Sequence, residues 1–148
     1  MAETMCDLYP NINRDLLMTG VFLHDIGKLD ELTHDLFVDY TTAGKLVGHL
    51  EMGCEMVNRK IAEIEGFPQA LALQVRHLIL SHHGERENGS PVVPKTLEAM
   101  VLYHIDNLDA QANAVTRIVE ETRAKSEEWS EYISLIDRPI WAGGRPAE

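Results

Sequence analysis

Seven histidines in a chain of 148 residues that carries 24 Asp and Glu against 13 Lys and Arg are the first feature to account for. His24 is followed at once by Asp25 at the end of an apolar run. His49 sits in a later helical segment, and His82 and His83 follow a third. Asp106, with Ile105 before it and Leu108 just beyond, lies in a fourth. Taken singly, each has an ordinary reading. A histidine on an apolar helix is most often a satisfied core residue, and Asp106 alone could cap a helix or pair with Arg or Lys. Taken together they fit that reading poorly, because a buried carboxylate is costly unless it is paired or binds a metal. Mixed imidazole and carboxylate side chains on facing helices are how bundle proteins build two-metal sites. Asp109 reads as a solvated carboxylate or one standing behind such a site.

The elements that must position these groups are helices, since helical periodicity dominates and no segment alternates long enough for a strand. Met1, Met5 and Leu8 predict a first helix that Pro10 ends. Asn13 is a candidate N-cap for a second, carrying Leu16, Leu17, Val21 and Phe22 into His24-Asp25 and ending near Gly27. Residues 28–41 read as a loop with a short turn of helix. From about Thr42, the stripe Leu46, Leu50, Cys54, Val57, Ile61 and Ile64 predicts one helix closed by Gly66, with His49 inside it. Pro68 opens the next, with Leu71, Val75, Leu78 and Ile79 inward, and Gly84 to Pro94 is a loop. Pro94 opens the longest helix, apolar nearly all round to Ala110 and so expected to be the most buried. Ser126 is read as the cap of a short last helix, and 139–148 as a tail. The expected fold is all-α, a bundle of five or more helices in a single domain over 1–148.

Composition excludes several functions. A net charge of −11 is a poor surface for a phosphate backbone, and 6% aromatic residues leave little for an extended base-stacking platform. Cys6 and Cys54 form no CxxC and no disulfide framework, as expected of free thiols in a reducing compartment. No apolar run approaches the roughly 20 residues of a membrane span. The N-terminus has no signal-peptide pattern. A cytoplasmic protein with no membrane partner is expected.

The string Val21-Phe22-Leu23-His24-Asp25-Ile26-Gly27-Lys28 resembles the HDxGK signature of the HD-domain metal-dependent phosphohydrolases. The match extends through Gly48-His49, through Ser81-His82-His83-Gly84-Glu85, and through Gly89-Ser90-Pro91 with Pro94-Lys95-Thr96. It ends with His104-Ile105-Asp106-Asn107-Leu108-Asp109-Ala110. In that order the series resembles the HD domain of the YhaM-type 3′–5′ exoribonucleases over about residues 7–125, leaving 126–148 as C-terminal helix and tail. The resemblance implies an HD-domain bundle in which Asp25 bridges two divalent cations. His24 and Asp106 would hold one, and His49 with His82 the other; His83 can replace or supplement His82. Ligands without thiolate suit Mn, Fe, Mg, Co or Ni better than a structural zinc. Lys28 would meet a substrate phosphate and act with Asp25 in catalysis. Arg86 and Lys95 are weaker substrate-binding candidates, a solvated surface role being the alternative for each. Two features of the family are missing from this sequence: a histidine on a helix upstream of the His-Asp pair, and an N-terminal OB-type nucleic-acid-binding domain. The ion on His24 and Asp106 is therefore expected to lack one ligand, leaving a weakened or single-metal site.

The expected function is metal-dependent hydrolysis of a phosphodiester or phosphomonoester in a nucleotide or short RNA, 3′–5′ exoribonuclease-like, by a metal-activated water. The alternative is a metal-binding but catalytically impaired HD domain acting through a partner or the missing OB domain. A di-iron oxygenase is a third reading, disfavoured by a lysine directly after His-Asp-Ile-Gly. A homo-oligomer remains open.

Overall fold

A computed structural model describes residues 1–34 and 36–143. Its contacts divide the chain into two compact units, Met1–Ile105 and Asp106–Glu148. The helices are α1 (Ala2–Leu8), α2 (Arg14–Leu23), α3 (Lys28–Glu31), α4 (Thr42–Val47), α5 (His49–Ala62), α6 (Gln69–Ser81) and α7 (Leu97–Ala124). A single 3-10 turn spans Arg86–Asn88. No strand forms among the described residues, only isolated antiparallel bridges at Leu32 with Tyr40, Trp129 with Trp141, and Ile133 with Arg138. The all-α expectation holds. No described helix is long and apolar enough to cross a membrane.

The first unit is built around α2, α5 and α6. Leu17, Leu78 and Ile79 are fully buried, with Leu16, Cys54, Val57, Val75, Ala99 and Leu102 around them. α2 starts where the sequence predicts, with the Asn13 side chain accepting the Leu16 N–H at 3.1 Å. The buried Glu98 carboxylate accepts the Asn13 N–H at 2.8 Å, fastening that cap to the first turn of α7. Small residues let backbones approach. A Cβ at Gly27 would run into the His49 carbonyl and lie 2.6 Å from the Gly53 nitrogen, so the turn after α2 rests directly on α5.

Four expectations need correction. The helix expected from Thr42 to Gly66 breaks at Gly48, whose φ of 81° no ordinary side chain adopts readily. Leu46 on the expected stripe is consequently 82% exposed, and His49 is the first residue of α5 rather than an interior one. α7 begins at Leu97, not at Pro94, because the Thr96 hydroxyl caps it by accepting the Ala99 N–H. α7 is not the most buried helix: Leu97, Met100, His104 and Leu108 fall on one exposed stripe, and its core contacts stop near Ile105. No helix follows Ser126 among the described residues. Its φ of 60°, with Ser126 N–H to Arg123 O and Glu127 N–H to Thr122 O, closes α7 in a Schellman motif. Ser126 thus ends a helix instead of starting one. Of the expected tail, Trp141 bridges to Trp129, and residues 144–148 lie outside the described residues.

Two measurements check this packing. Gly27→Ala forces backbone apart and should lower stability by about 1–3 kcal/mol in urea unfolding. His77 Nε2 accepts the Lys95 N–H at 2.9 Å, and burial, with the Lys95 charge, holds this imidazole below its ordinary 6.5. Below that value the unfolded chain takes up a proton that the folded one resists, so stability falls as pH falls. His77→Gln, whose amide oxygen can still accept, should make the decline between about pH 7 and 5 shallower.

Candidate metal centre

The centre assembles where α2 ends and α5 begins. His24 is the C-cap of α2, and Asp25 follows in the turn that Gly27 seats against α5. His49 opens α5. His82 is the C-cap of α6, and His83 is the next residue. The chain then turns at Gly84, whose φ is 78° and where any Cβ would strike the Tyr103 ring. These terminal positions put four imidazoles around one carboxylate. The Nε2 of His24 lies 3.5 Å from Asp25 Oδ2, and the Nε2 atoms of His49 and His82 each lie 3.6 Å from Oδ1. The rings of His82 and His83 are 4.4 Å apart, and those of His49 and His83 5.0 Å.

Each ring is oriented by what its other nitrogen does. His24 Nδ1 lies 3.0 Å from the Val21 carbonyl, His82 Nδ1 2.8 Å from that of Ile79, and His83 Nδ1 3.0 Å from that of Asn88. His49 Nδ1 lies 3.0 Å from Glu31 Oε1. In every case Nδ1 is the donor its partner requires, which assigns the proton there and leaves Nε2 with a lone pair. Such back-side bonds are how metal-ligating histidines are held.

The resulting electrostatics call for a cation. Asp25 Oδ1 is buried and accepts no hydrogen bond, since 3.6 Å is beyond bonding reach. His49 Nε2 and His83 Nε2 stand 3.2 Å apart with lone pairs facing. Burial works to raise the Asp25 carboxyl, and the Lys28 ammonium on Oδ2 opposes it and holds the group ionised below the usual carboxylate range. Burial pushes His83 below its ordinary value. The ligand-type atoms of His49, His82 and His83 all lie within 4.8 Å of one another. Two atoms bound to one ion at about 2.1 Å stand at most about 4.2 Å apart, so only a small adjustment would let this donor set hold a divalent cation.

Of the residues singled out in the sequence, the structure brings together His24, Asp25, Lys28, His49, His82 and His83. Lys28 Nζ binds Asp25 Oδ2 at 2.6 Å. Both members of the His82-His83 pair belong to the cluster: His82 is fully buried beside Asp25, and His83 faces His49. Asp106 is half-buried on α7 at the start of the second unit. Arg86, in the 3-10 turn, and Lys95, ahead of α7, are exposed. Sequence reasoning missed Glu31, whose buried carboxylate holds His49. The signal available was weak: a second acid directly after Asp30 and before Leu32, about one turn after Lys28, in a stretch read as loop. An apolar cavity of about 650 Å³, lined by Leu23, Ile26, Val57, Ile61, Phe67 and Val75, contains none of the histidines.

The chain is 41% identical over 137 residues to the 3′-5′ exoribonuclease YhaM of Bacillus licheniformis, covering 93% of this chain and 43% of the relative. It is 40% identical to that of Bacillus subtilis and 41% to that of Listeria innocua, with the same coverage of each. The chain therefore spans less than half the length of these relatives. No solved structure matches it. The HD domain family model matches residues 1–111, which contain the whole histidine cluster, and the chain belongs to the HD domain family.

Proposed function

We propose that this chain is a divalent-metal-dependent phosphohydrolase of the nuclease class, cleaving a phosphodiester in a nucleotide or short RNA in the manner of a 3′–5′ exoribonuclease. The observation that carries the reading is the Asp25 carboxylate: one oxygen buried without a donor, among imidazole lone pairs whose opposite nitrogens are all engaged. The substrate class is supported by the names of the exoribonuclease relatives.

In this reading Asp25, His49, His82 and His83 would hold one divalent cation, and His24 and Asp106 are the residues proposed for a second. Bound there, the ions supply Lewis acidity for the phosphoryl group and acidify a water at neutral pH. The chain's own residues do the rest. Asp25 remains ionised, the rings keep their lone pairs on the side of the carboxylate, and Gly27 and Gly84 fix the turns that carry them. Lys28 holds Asp25, and its half-exposed ammonium is the group proposed to take a non-bridging phosphate oxygen. Arg86 and Lys95 are further candidates for contacts along the substrate.

Purified chain loaded with Mn²⁺ should shorten a labelled RNA oligonucleotide, and a chelator should stop it until Mn²⁺ is restored. Asp25→Asn should lower turnover by more than the roughly 10–100-fold typical of losses behind the ligands. Cleavage that survives both the chelator and Asp25→Asn would refute the reading.

A further inference from the structure

The four imidazoles are not supported alike. Three give Nδ1 to neutral backbone carbonyls, whereas His49 gives it to a carboxylate. That carboxylate, Glu31, is only 6% exposed. Its Oε1 accepts both the Nδ1–H and the backbone N–H of His49, each at 3.0 Å. Glu31 is also clamped through its main chain. Its N–H donates to the Gly27 carbonyl at 3.0 Å, and its carbonyl accepts the Thr41 N–H at 2.8 Å. Gly44 packs so tightly on that carbonyl that a Cβ would collide with it.

We infer that Glu31 is a positioning residue for the metal centre, fixing His49 as its most electron-rich imidazole; this deepens the metal-dependent reading above and rests on it. Burying a carboxylate is costly unless hydrogen bonds compensate it, and both bonds here go to one residue. The Nδ1–H bond to a charged acceptor settles the tautomer, aims Nε2 at Asp25 and raises the donor strength of the ring. The backbone bond does a different task. It satisfies the N–H that α5 exposes at its first residue, just after the break at Gly48. One side chain thus ties the start of a helix to the orientation of a ligand. The short segment from Lys28 to Thr41 exists, on this account, to carry the Glu31 clamp as well as Lys28.

The test is Mn²⁺ titration of metal-free protein by calorimetry, with the His49 ring nitrogens followed by NMR. Glu31→Leu removes the acceptor and should weaken Mn²⁺ binding by about 10–100-fold while the His49 tautomer becomes mixed. Glu31→Gln keeps an acceptor oxygen without the charge. It should retain the tautomer, recover part of the affinity, and serve alone should Glu31→Leu fail to fold. Wild-type Mn²⁺ affinity in Glu31→Gln, with Glu31→Leu either matching it within about threefold or unfolded, would overturn the inference while leaving the metal centre intact. A wild-type chain that binds no Mn²⁺ would overturn both.

Discussion

A carboxylate that is half enclosed, ionised and short of donors governs the rest of the structure. Asp25 has Lys28 on one oxygen and nothing within bonding distance of the other, although three imidazole nitrogens stand 3.5–3.6 Å from the carboxylate. An unsatisfied buried polar atom costs about 1–3 kcal/mol, more when charged. The facing nitrogens of His49 and His83 add repulsion. Protonating the rings would relieve it, but Nδ1 of each already carries the proton its acceptor demands, and His83 resists a second. On the proposed reading, a divalent cation held by these residues would offset that cost.

Holding such a cluster against its own repulsion requires a scaffold with little freedom. The imidazoles stand at or next to helix ends, where backbone groups lack helical partners. His24 and His82 are C-caps, and the first N–H of α5 is taken by Glu31. Behind them lies the packed layer of Leu17, Leu78 and Ile79, which fixes α2 against α6. Gly27 against His49 and Gly53, and Gly84 against Tyr103, bring the intervening turns to contact distance. Side chains at either glycine would move a ligand, not merely loosen the core.

Much of this was legible in the sequence, and the failures have physical causes. The types and spacing of His24, Asp25, His49 and His82 picked out side chains that the structure brings together, because ionisable groups set beside apolar stripes need a partner or a metal to offset their burial. Asn13 was legible because a cap is local chemistry. The break at Gly48 was hidden because the apolar stripe continues through it; only a positive φ marks it, and periodicity does not encode φ. Ser126 misled because serine both starts helices and, at positive φ, can end them. Leu97, Met100 and Leu108 are apolar yet exposed, so burial of α7 could not be inferred from hydrophobicity alone. Glu31 stayed invisible because its role depends on a partner 18 residues away. Such a contact is written in the fold and not in any local pattern.

The charge balance bears on how the proposed reaction is divided between chemistry and grip. A chain of net charge −11 draws divalent cations toward it and repels a polyanion, an effect that salt screens beyond about 8–10 Å. On the proposed reading, bound cations together with Lys28 beside Asp25 would turn the local field positive at the centre. A single phosphate arriving there would be attracted although the surface around it is not. Long nucleic acid would need a string of cationic contacts, and Arg86 and Lys95 are only two. On the proposed reading this unit therefore favours the terminal phosphodiester of a strand over its interior. An end can reach the centre without laying further phosphates along an acidic surface, and that asymmetry matches action from one terminus.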